Sequence, residues 1–412
     1  MTGPITRGTI RTSVVLGLRL LVQAGTLLLV ARLLGPDQFG AFTGLAALAV
    51  LLGTLSTFGT HVVLLGEVSK DPGQGRKVLR YAIPCTLLCG ALLLLLYLWV
   101  GTCLLGDVHI PVLILLAIGV SEMVLQPLFA LMTSEQHALG RVAYAQLLQL
   151  LPMGLRLFFA GLVLLAASPA GLFFYALGYV LASVLALAYG WMALPSCWPS
   201  WRSWCLPNRA QWRHALGYAA TNITRTAPAE LDKALALKLL PVATVGLYSA
   251  AARVIGAATL PIAAMALAAL PRLFREGQQS QSGRRLLVWM YVAALIYSTL
   301  LAGVLWLAAP LFDAVFGIEY IGVSELIRLM CAAVPGMALR QVAGNVLMAA
   351  GKPWMRVGFE GSGLLILVIC SLGLTGELGV SGLPVAVICA EWGMAALGLA
   401  MIVYVRYAEG TK

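Results

Sequence analysis

The stretch RTAPAELDKALALKLLPVATVGLYSAA, Arg225–Ala251, decides how this chain is read. Arg225, Glu230, Asp232 and Lys233 fall within nine residues of a chain that is only 10% charged, and Pro228 stands among them. The question it poses is why an otherwise apolar helix carries four charges.

The surroundings make it a membrane question. The 412 residues are 61% hydrophobic with a mean hydropathy of +0.93. Soluble domains carry roughly 45–50% apolar and about 25% charged residues, so both departures point to an integral membrane protein with many spans. Runs such as 87–100 and 286–309 fit the roughly 20 apolar residues that cross a bilayer. Hydrocarbon cannot satisfy exposed backbone, so spans are helices or closed barrels, and the alternating polarity of a barrel is absent. The first apolar segment is too long for a signal-peptide core and lacks a small-residue cleavage site; it is read as a retained helix. The eight cysteines show no C-x-x-C spacing, and most lie in apolar segments, where cysteine acts as a small hydrophobe. No metal site is expected.

Hydropathy predicts an all-α membrane fold of about twelve transmembrane helices, near 10–34, 40–66, 81–104, 111–132, 142–166, 170–194, 214–240, 244–270, 286–309, 323–350, 357–376 and 380–404. With the N-terminus inside, eighteen of the 27 basic residues fall in cytoplasmic segments, Lys352 and Arg356 among them, and only Arg32 and Lys238 on the other face. That bias supports twelve spans with both termini cytoplasmic. The net charge of +11 follows from this topology and from contact with anionic membrane lipids, and calls for no nucleic acid. The longest loop, Pro195–Arg213, sets Trp198, Trp201, Trp204 and Trp212 among arginines, an interfacial composition that suits a cytoplasmic linker.

An internal repeat organises the chain. LLGPDQFGAFTGLAA (Leu33–Ala47) matches LLPVATVGLYSAAAR (Leu239–Arg253) at an offset of 206, pairing Gly40 with Gly246 and Phe42 with Tyr248. LMTSEQHALGRV (Leu131–Val142) echoes LMAAGKPWMRV (Leu347–Val357) at 215 to 216. Three parts follow: a six-helix lobe over 1–194, a linker over 195–213 and a second six-helix lobe over 214–412. Six helices is an even number, so the lobes share an orientation, an arrangement used by transporters with a central site. The same offset of 206 relates Arg19 to Arg225.

Seven basic residues remain inside spans: Arg19, Arg156, Arg225, Lys233, Arg253, Arg328 and Arg340. Each would cost roughly 2.5–3.5 kcal/mol at the centre of a lipid-facing helix, so they snorkel, pair or line water. Thr12, Arg19, Gln23 and Thr26 form one polar stripe on helix 1, and Gln146, Gln149, Met153 and Arg156 another on helix 5. On helix 7 the residues Thr221, Asn222, Arg225, Thr226, Glu230, Asp232 and Lys233 take about half the circumference. Glu230–Lys233 and Glu325–Arg328 have the i,i+3 spacing of a self-neutralising pair. Glu122, Asp232 and Glu391 are the in-span acids singled out, either as ion-coupling groups or as fixed counter-ions.

ARLLGPDQFGAFTGLAALAVLLGTLSTFGTHVVLLGEVSKD, ELDKALALKLLPVATVGLYSAAARV and LMAAGKPWMRV resemble segments of Wzx-type polysaccharide flippases, members of the multidrug/oligosaccharidyl-lipid/polysaccharide exporter superfamily. The resemblance covers essentially the whole chain. It implies two lobes around a central cavity and passage of an undecaprenyl-diphosphate-linked sugar unit from the inner to the outer leaflet of the bacterial inner membrane. Polysaccharide polymerase and assembly proteins are the candidate protein partners. A diphosphate is a compact anion that arginine meets with a bidentate fork, so Arg19 and Arg225 come first as its ligands, then Arg253 and Lys233, with Arg156 as a further candidate. No G-x-x-x-x-G-K-[ST] cradle for ATP is present, so no cofactor is expected and the drive would be H+, Na+ or membrane potential. A multidrug/cation antiporter of the same fold is the alternative, disfavoured because in-span cations outnumber acids. A membrane polymerase, ligase or acyltransferase is disfavoured by short external loops and by histidines confined to span ends and loops.

Overall fold

The computed structural model describes residues 4–106, 110–166, 170–194, 196, 198–262 and 281–410. Among these the secondary structure is helical throughout, with no strand. Every backbone polar group in a span must find its partner within the segment, and leucine- and alanine-rich runs supply the propensity. Nine stretches are long and apolar enough to cross a membrane among the described residues, which makes the chain a multi-pass membrane protein. Two compact units divide the chain, Met1–Ile223 and Thr224–Lys412.

The first unit begins with α1, Pro4–Ser56. The predicted break between the first two spans is a kink inside this helix: Gly35 takes φ 66°, ψ 171°, and Pro36 follows. Glycine alone adopts that backbone freely, and the proline ring cannot accept an ordinary helical turn before it. The second predicted span, 40–66, is itself interrupted. The helix stops at Ser56, Phe58 turns to φ 46°, and α2 restarts over Thr60–Lys70. Thr57 Oγ1 meets His61 Nδ1 at 2.8 Å across this break, and the Phe58 ring stands edge-on to Trp212 at 4.6 Å.

At the α2–α3 turn, Asp71 accepts from the Gly73 N–H at 2.9 Å and the Gln74 amide at 2.8 Å. These two donors hold its carboxyl below the usual carboxylate range. Then come α3 (Gly75–Leu105), α4 (Val112–Val120), a π-helical turn over Ser121–Leu125, α5 (Gln126–Ala138), α6 (Val142–Leu165) and α7 (Gly171–Met192). α1 packs along α6 and α3, and α6 along α7.

The tryptophan-rich loop packs into this unit. Trp198 stacks on Trp191 with centroids 4.4 Å apart, and Trp198 and Trp204 both press on the core of α2, α3 and α5. Of the loop tryptophans, Trp201 is the exposed one. The loop leads into α8, Arg209–Leu239, which is a long helix but too polar to count among the nine apolar stretches. The division between units falls within it.

The second unit takes the rest of α8, then α9 (Val242–Ala258), α10 (Gln281–Phe316), α11 (Val323–Met330), α12 (Val334–Ala349), α13 (Pro353–Leu378) and α14 (Gly382–Gly410). The predicted span 323–350 is two helices joined by a 3-10 turn at Cys331–Ala333. α13 runs along α14, α12 against α14 and α10, and α9 against α11. The end of the eighth predicted helix and the following loop cations Arg272 and Arg275 lie outside the described residues, as do the side chains of Arg7, Arg11, Thr12, Arg284 and Arg406.

Candidate functional site

Each of the seven in-span cations now has a position. In the first unit, Arg156 on α6 donates from Nη2 to Glu122 Oε1 at 2.9 Å and to Ser183 Oγ at 3.2 Å, and from Nη1 to Tyr179 Oη at 2.7 Å. Tyr179 in turn donates its hydroxyl hydrogen to Glu122. Phe42 packs edge-on against the Tyr175 and Tyr179 rings behind this cluster.

Glu122 is presented by the π-helical turn, where the backbone departs from the ordinary helical ladder. Gly53 on α1 and Gly90 on α3 close onto that turn: a Cβ at either would stand 2.4 Å from the Glu122 carbonyl oxygen or 2.3 Å from that of Met123. Two helices thus press on the turn where side chains would hold them off. Glu122 and Arg156, predicted for ion coupling and for anion binding, are brought together as partners.

In the second unit the opening stretch resolves in the same direction. Asp232 and Lys233 are buried. Lys233 Nζ lies 3.2 Å from Asp232 Oδ1 and donates to the Ala229 carbonyl, while Glu230 Oε2 is at 4.0 Å. The i,i+3 pair predicted for Lys233 is therefore present but longer than the contact with its neighbour. Tyr248 on α9 donates to Asp232 Oδ2 at 2.6 Å. The carboxylate consequently has a hydroxyl and an ammonium to satisfy it inside the unit.

Arg340 on α12 donates from Nε to Glu391 Oε2 on α14 at 2.6 Å, and its Nη1 lies 3.9 Å from Glu360 on α13. Glu360 also accepts from Arg356 Nε at 3.0 Å. All four side chains are buried. Arg356 corrects the sequence reading. The sequence sets it among the loop cations, yet it lies in the first turns of α13 and pairs with Glu360 four residues on. Glu360 was not singled out; the i,i+4 spacing of Arg356 and Glu360 was the signal that would have found both.

Arg328 differs too. Instead of the predicted pair with Glu325, absent among the described residues, its guanidinium lies 5.1 Å from the Trp306 ring centroid.

Of the residues singled out as anion ligands or coupling acids, the accessible ones are cations. Arg225 and Arg253 are exposed and Arg19 is half-buried, whereas Glu122, Asp232 and Glu391 are each held by a basic side chain or its network. Arg19 and Arg253 make no ion pair among the described residues. Pairing encloses these three acids, while Glu230 is half-buried and Glu325 exposed.

A model built on the family described as "Polysaccharide biosynthesis protein" matches residues 5–276, more than half of the chain. The chain belongs to the polysaccharide biosynthesis protein family. The resemblance to Wzx-type flippases drawn from its sequence stands with that membership. No curated protein matches it in sequence.

Solved structures share the fold of this family member. An inward-facing multidrug resistance MATE transporter of the MOP superfamily superposes with a TM-score of 0.77 at 14% identity, covering 95% of this chain and 96% of that one. The lipid II flippase MurJ, in an inward closed conformation, gives 0.75 at 12% identity, covering 95% and 87%. A MOP superfamily transporter from Pyrococcus furiosus, described as having a binding pocket of reverse polarity, gives 0.69 at 14%, covering 97% and 95%. At such identities the likeness is one of fold.

Proposed function

We propose that the protein is a flippase that carries a lipid-diphosphate-linked oligosaccharide from the inner to the outer leaflet of a bacterial inner membrane. It does so by alternating access of two six-helix lobes, twelve crossings in all, with both termini in the cytoplasm. The observation that carries this reading is the contrast between the candidate ligand cations and the three candidate coupling acids. Arg19, Arg225 and Arg253 are accessible, and the acids Glu122, Asp232 and Glu391 are enclosed. An accessible guanidinium inside a span is costly unless it meets water or an anion, and a diphosphate offers several oxygens to its fork. Family membership in polysaccharide biosynthesis supports a cargo of this class. A cation exporter would need the opposite arrangement, accessible acids.

Arg19 and Arg225 are the leading diphosphate ligands, Arg253 the next. Arg156, bonded to Glu122, Tyr179 and Ser183, supports the site by joining helices, and Lys233 by neutralising Asp232 within α8. The drive is an ion gradient or the membrane potential, with Glu122, Asp232 and Glu391 as the acids whose protonation would exchange partners.

The test is export of polymer to the cell surface. Arg19→Ala and Arg225→Ala each abolish it at normal protein levels in the membrane; full surface polysaccharide in both variants would sink the proposal. If Glu122→Gln, Asp232→Asn and Glu391→Gln all transport normally, coupling does not run through these acids.

A further inference from the structure

The buried network of the second unit contains a cation that the reading above does not use. Arg356 engages Glu360 through Nε alone, at 3.0 Å. Its Nη1 and Nη2 make no hydrogen bond among the described residues, and they are not among the sealed, unsatisfied atoms of the unit. The side of arginine best suited to two oxygens is thus left open.

Its position is fixed from behind. Glu360 Oε1 holds Nε, and Arg340, itself pinned to Glu391 at 2.6 Å, stands 3.9 Å from the same carboxylate. Gly344 on α12 gives the guanidinium a flat seat: a Cβ there would lie 3.0 Å from Nε and 3.1 Å from Cζ. A larger residue at 344 would push the group off its carboxylate.

The second feature is a like-charge neighbour. Arg225, on α8 of the same unit, lies within electrostatic range of both Arg356 and Glu360. Two guanidinium groups placed near each other repel, and in a membrane span little solvent screens them. Glu360 offsets part of that repulsion, and its contacts with Arg356 and Arg340 both run through Oε1. Arg340 differs in that Glu391 holds its Nε at 2.6 Å and Glu360 also faces its Nη1 at 3.9 Å.

We infer that Arg356 is a second phosphate-binding cation of this unit, acting beside Arg225, with Glu360 as the residue that aims it. The ligand class is a diphosphate, whose two phosphoryl groups can meet two guanidinium forks at once where a single phosphate meets one. This rests on the assignment of Arg225 to the cargo headgroup and extends it to a residue on α13.

Binding of inorganic pyrophosphate and of inorganic phosphate to the purified full chain in detergent separates the possibilities. Wild type should take pyrophosphate more tightly than phosphate. R225A should lower pyrophosphate affinity about tenfold or more, the range of a lost charged hydrogen bond. R356A leaves Glu360 short of a partner and risks misfolding, so the charge-neutral double variant R356M with E360M provides the decisive arm. It should lower pyrophosphate affinity about tenfold and leave phosphate affinity nearly unchanged, erasing the preference. E360Q, which keeps the cation but loosens its aim, should fall between.

Wild-type protein that takes no pyrophosphate overturns both assignments, and so does R225A at wild-type affinity. R225A weakened beside a double variant that binds like wild type overturns Arg356 alone. A double variant that loses thermal stability yet keeps its preference for pyrophosphate reduces Arg356 to a structural ion pair and likewise overturns the inference.

Discussion

The two units answer the same repeat with different chemistry. Helix 1 carries Thr26 where helix 7 carries Asp232, and Phe42 where Tyr248 stands, both at the offset of 206. In the first unit Thr26 satisfies itself, donating to the Val22 carbonyl at 2.7 Å, and Phe42 presents an apolar ring to Tyr175 and Tyr179. In the second, Asp232 needs donors, and Tyr248 supplies the hydroxyl that phenylalanine lacks. A buried carboxylate and the residue that satisfies it have been exchanged together. The later echo shows the same thing: Arg141 is exposed at the start of α6, whereas Arg356, at the matching place, is buried on Glu360. The lesson is that repeat-related positions share a backbone but not an electrostatic role, and partners decide which role a charge takes.

Three experiments break or sharpen this contrast. The largest effect is expected from the ion pairs. Arg340→Met strips Glu391 of its guanidinium and should destabilise by about 3–5 kcal/mol, the usual result of breaking one side of a buried pair. Arg156→Met should lose less, because the Tyr179 hydroxyl remains on Glu122. Thermal unfolding in detergent ranks the two. A larger loss for Arg156→Met would mean that the first unit, not the second, depends more on its ion pair.

The exchanged pair comes next. Tyr248→Phe leaves Asp232 with one donor fewer and should cost about 1–3 kcal/mol. Phe42→Tyr, the reverse change, buries a hydroxyl against aromatic rings and should also destabilise, by a similar amount. Tyr248→Phe at wild-type stability would remove the hydroxyl as the reason for the difference between the units.

The smallest effect is expected at Arg328. Removing it should cost about 0.5–1 kcal/mol through the lost contact with Trp306, whereas Glu325→Gln should leave the melting temperature unchanged. A change at Glu325 as large as that at Arg328 would restore the ion pair read from spacing.

Composition, hydropathy and the repeat determined a good deal. They identified a helical membrane protein, placed most helices to within a few residues, and made the charged part of Arg225–Ala251 a half-polar helix instead of a loop. Those features are local or periodic: an apolar run is long enough or it is not, and a basic loop is counted without knowing its neighbours. Breaks within helices were less legible. Pro36 signalled the kink at Gly35, but the interruption at Phe58 and the 3-10 turn at Cys331–Ala333 depend on what packs against them.

The partners of the charges were decided only by tertiary structure. Glu122 meets Arg156 across 34 positions and Arg340 meets Glu391 across 51, contacts with no periodicity to reveal them. Arg356 looked like a loop cation because it follows Gly351, Lys352 and Pro353; it became a buried group because α13 starts early and sets Glu360 one turn away. The four charges that opened the reading divided in the same way. Asp232 and Lys233 neutralise each other beneath Tyr248, Glu230 stands at the edge of that pair, and Arg225 is left exposed on the same helix. The sequence could count those charges, but burial determines which of them needs a partner, and only the packed helices supply one.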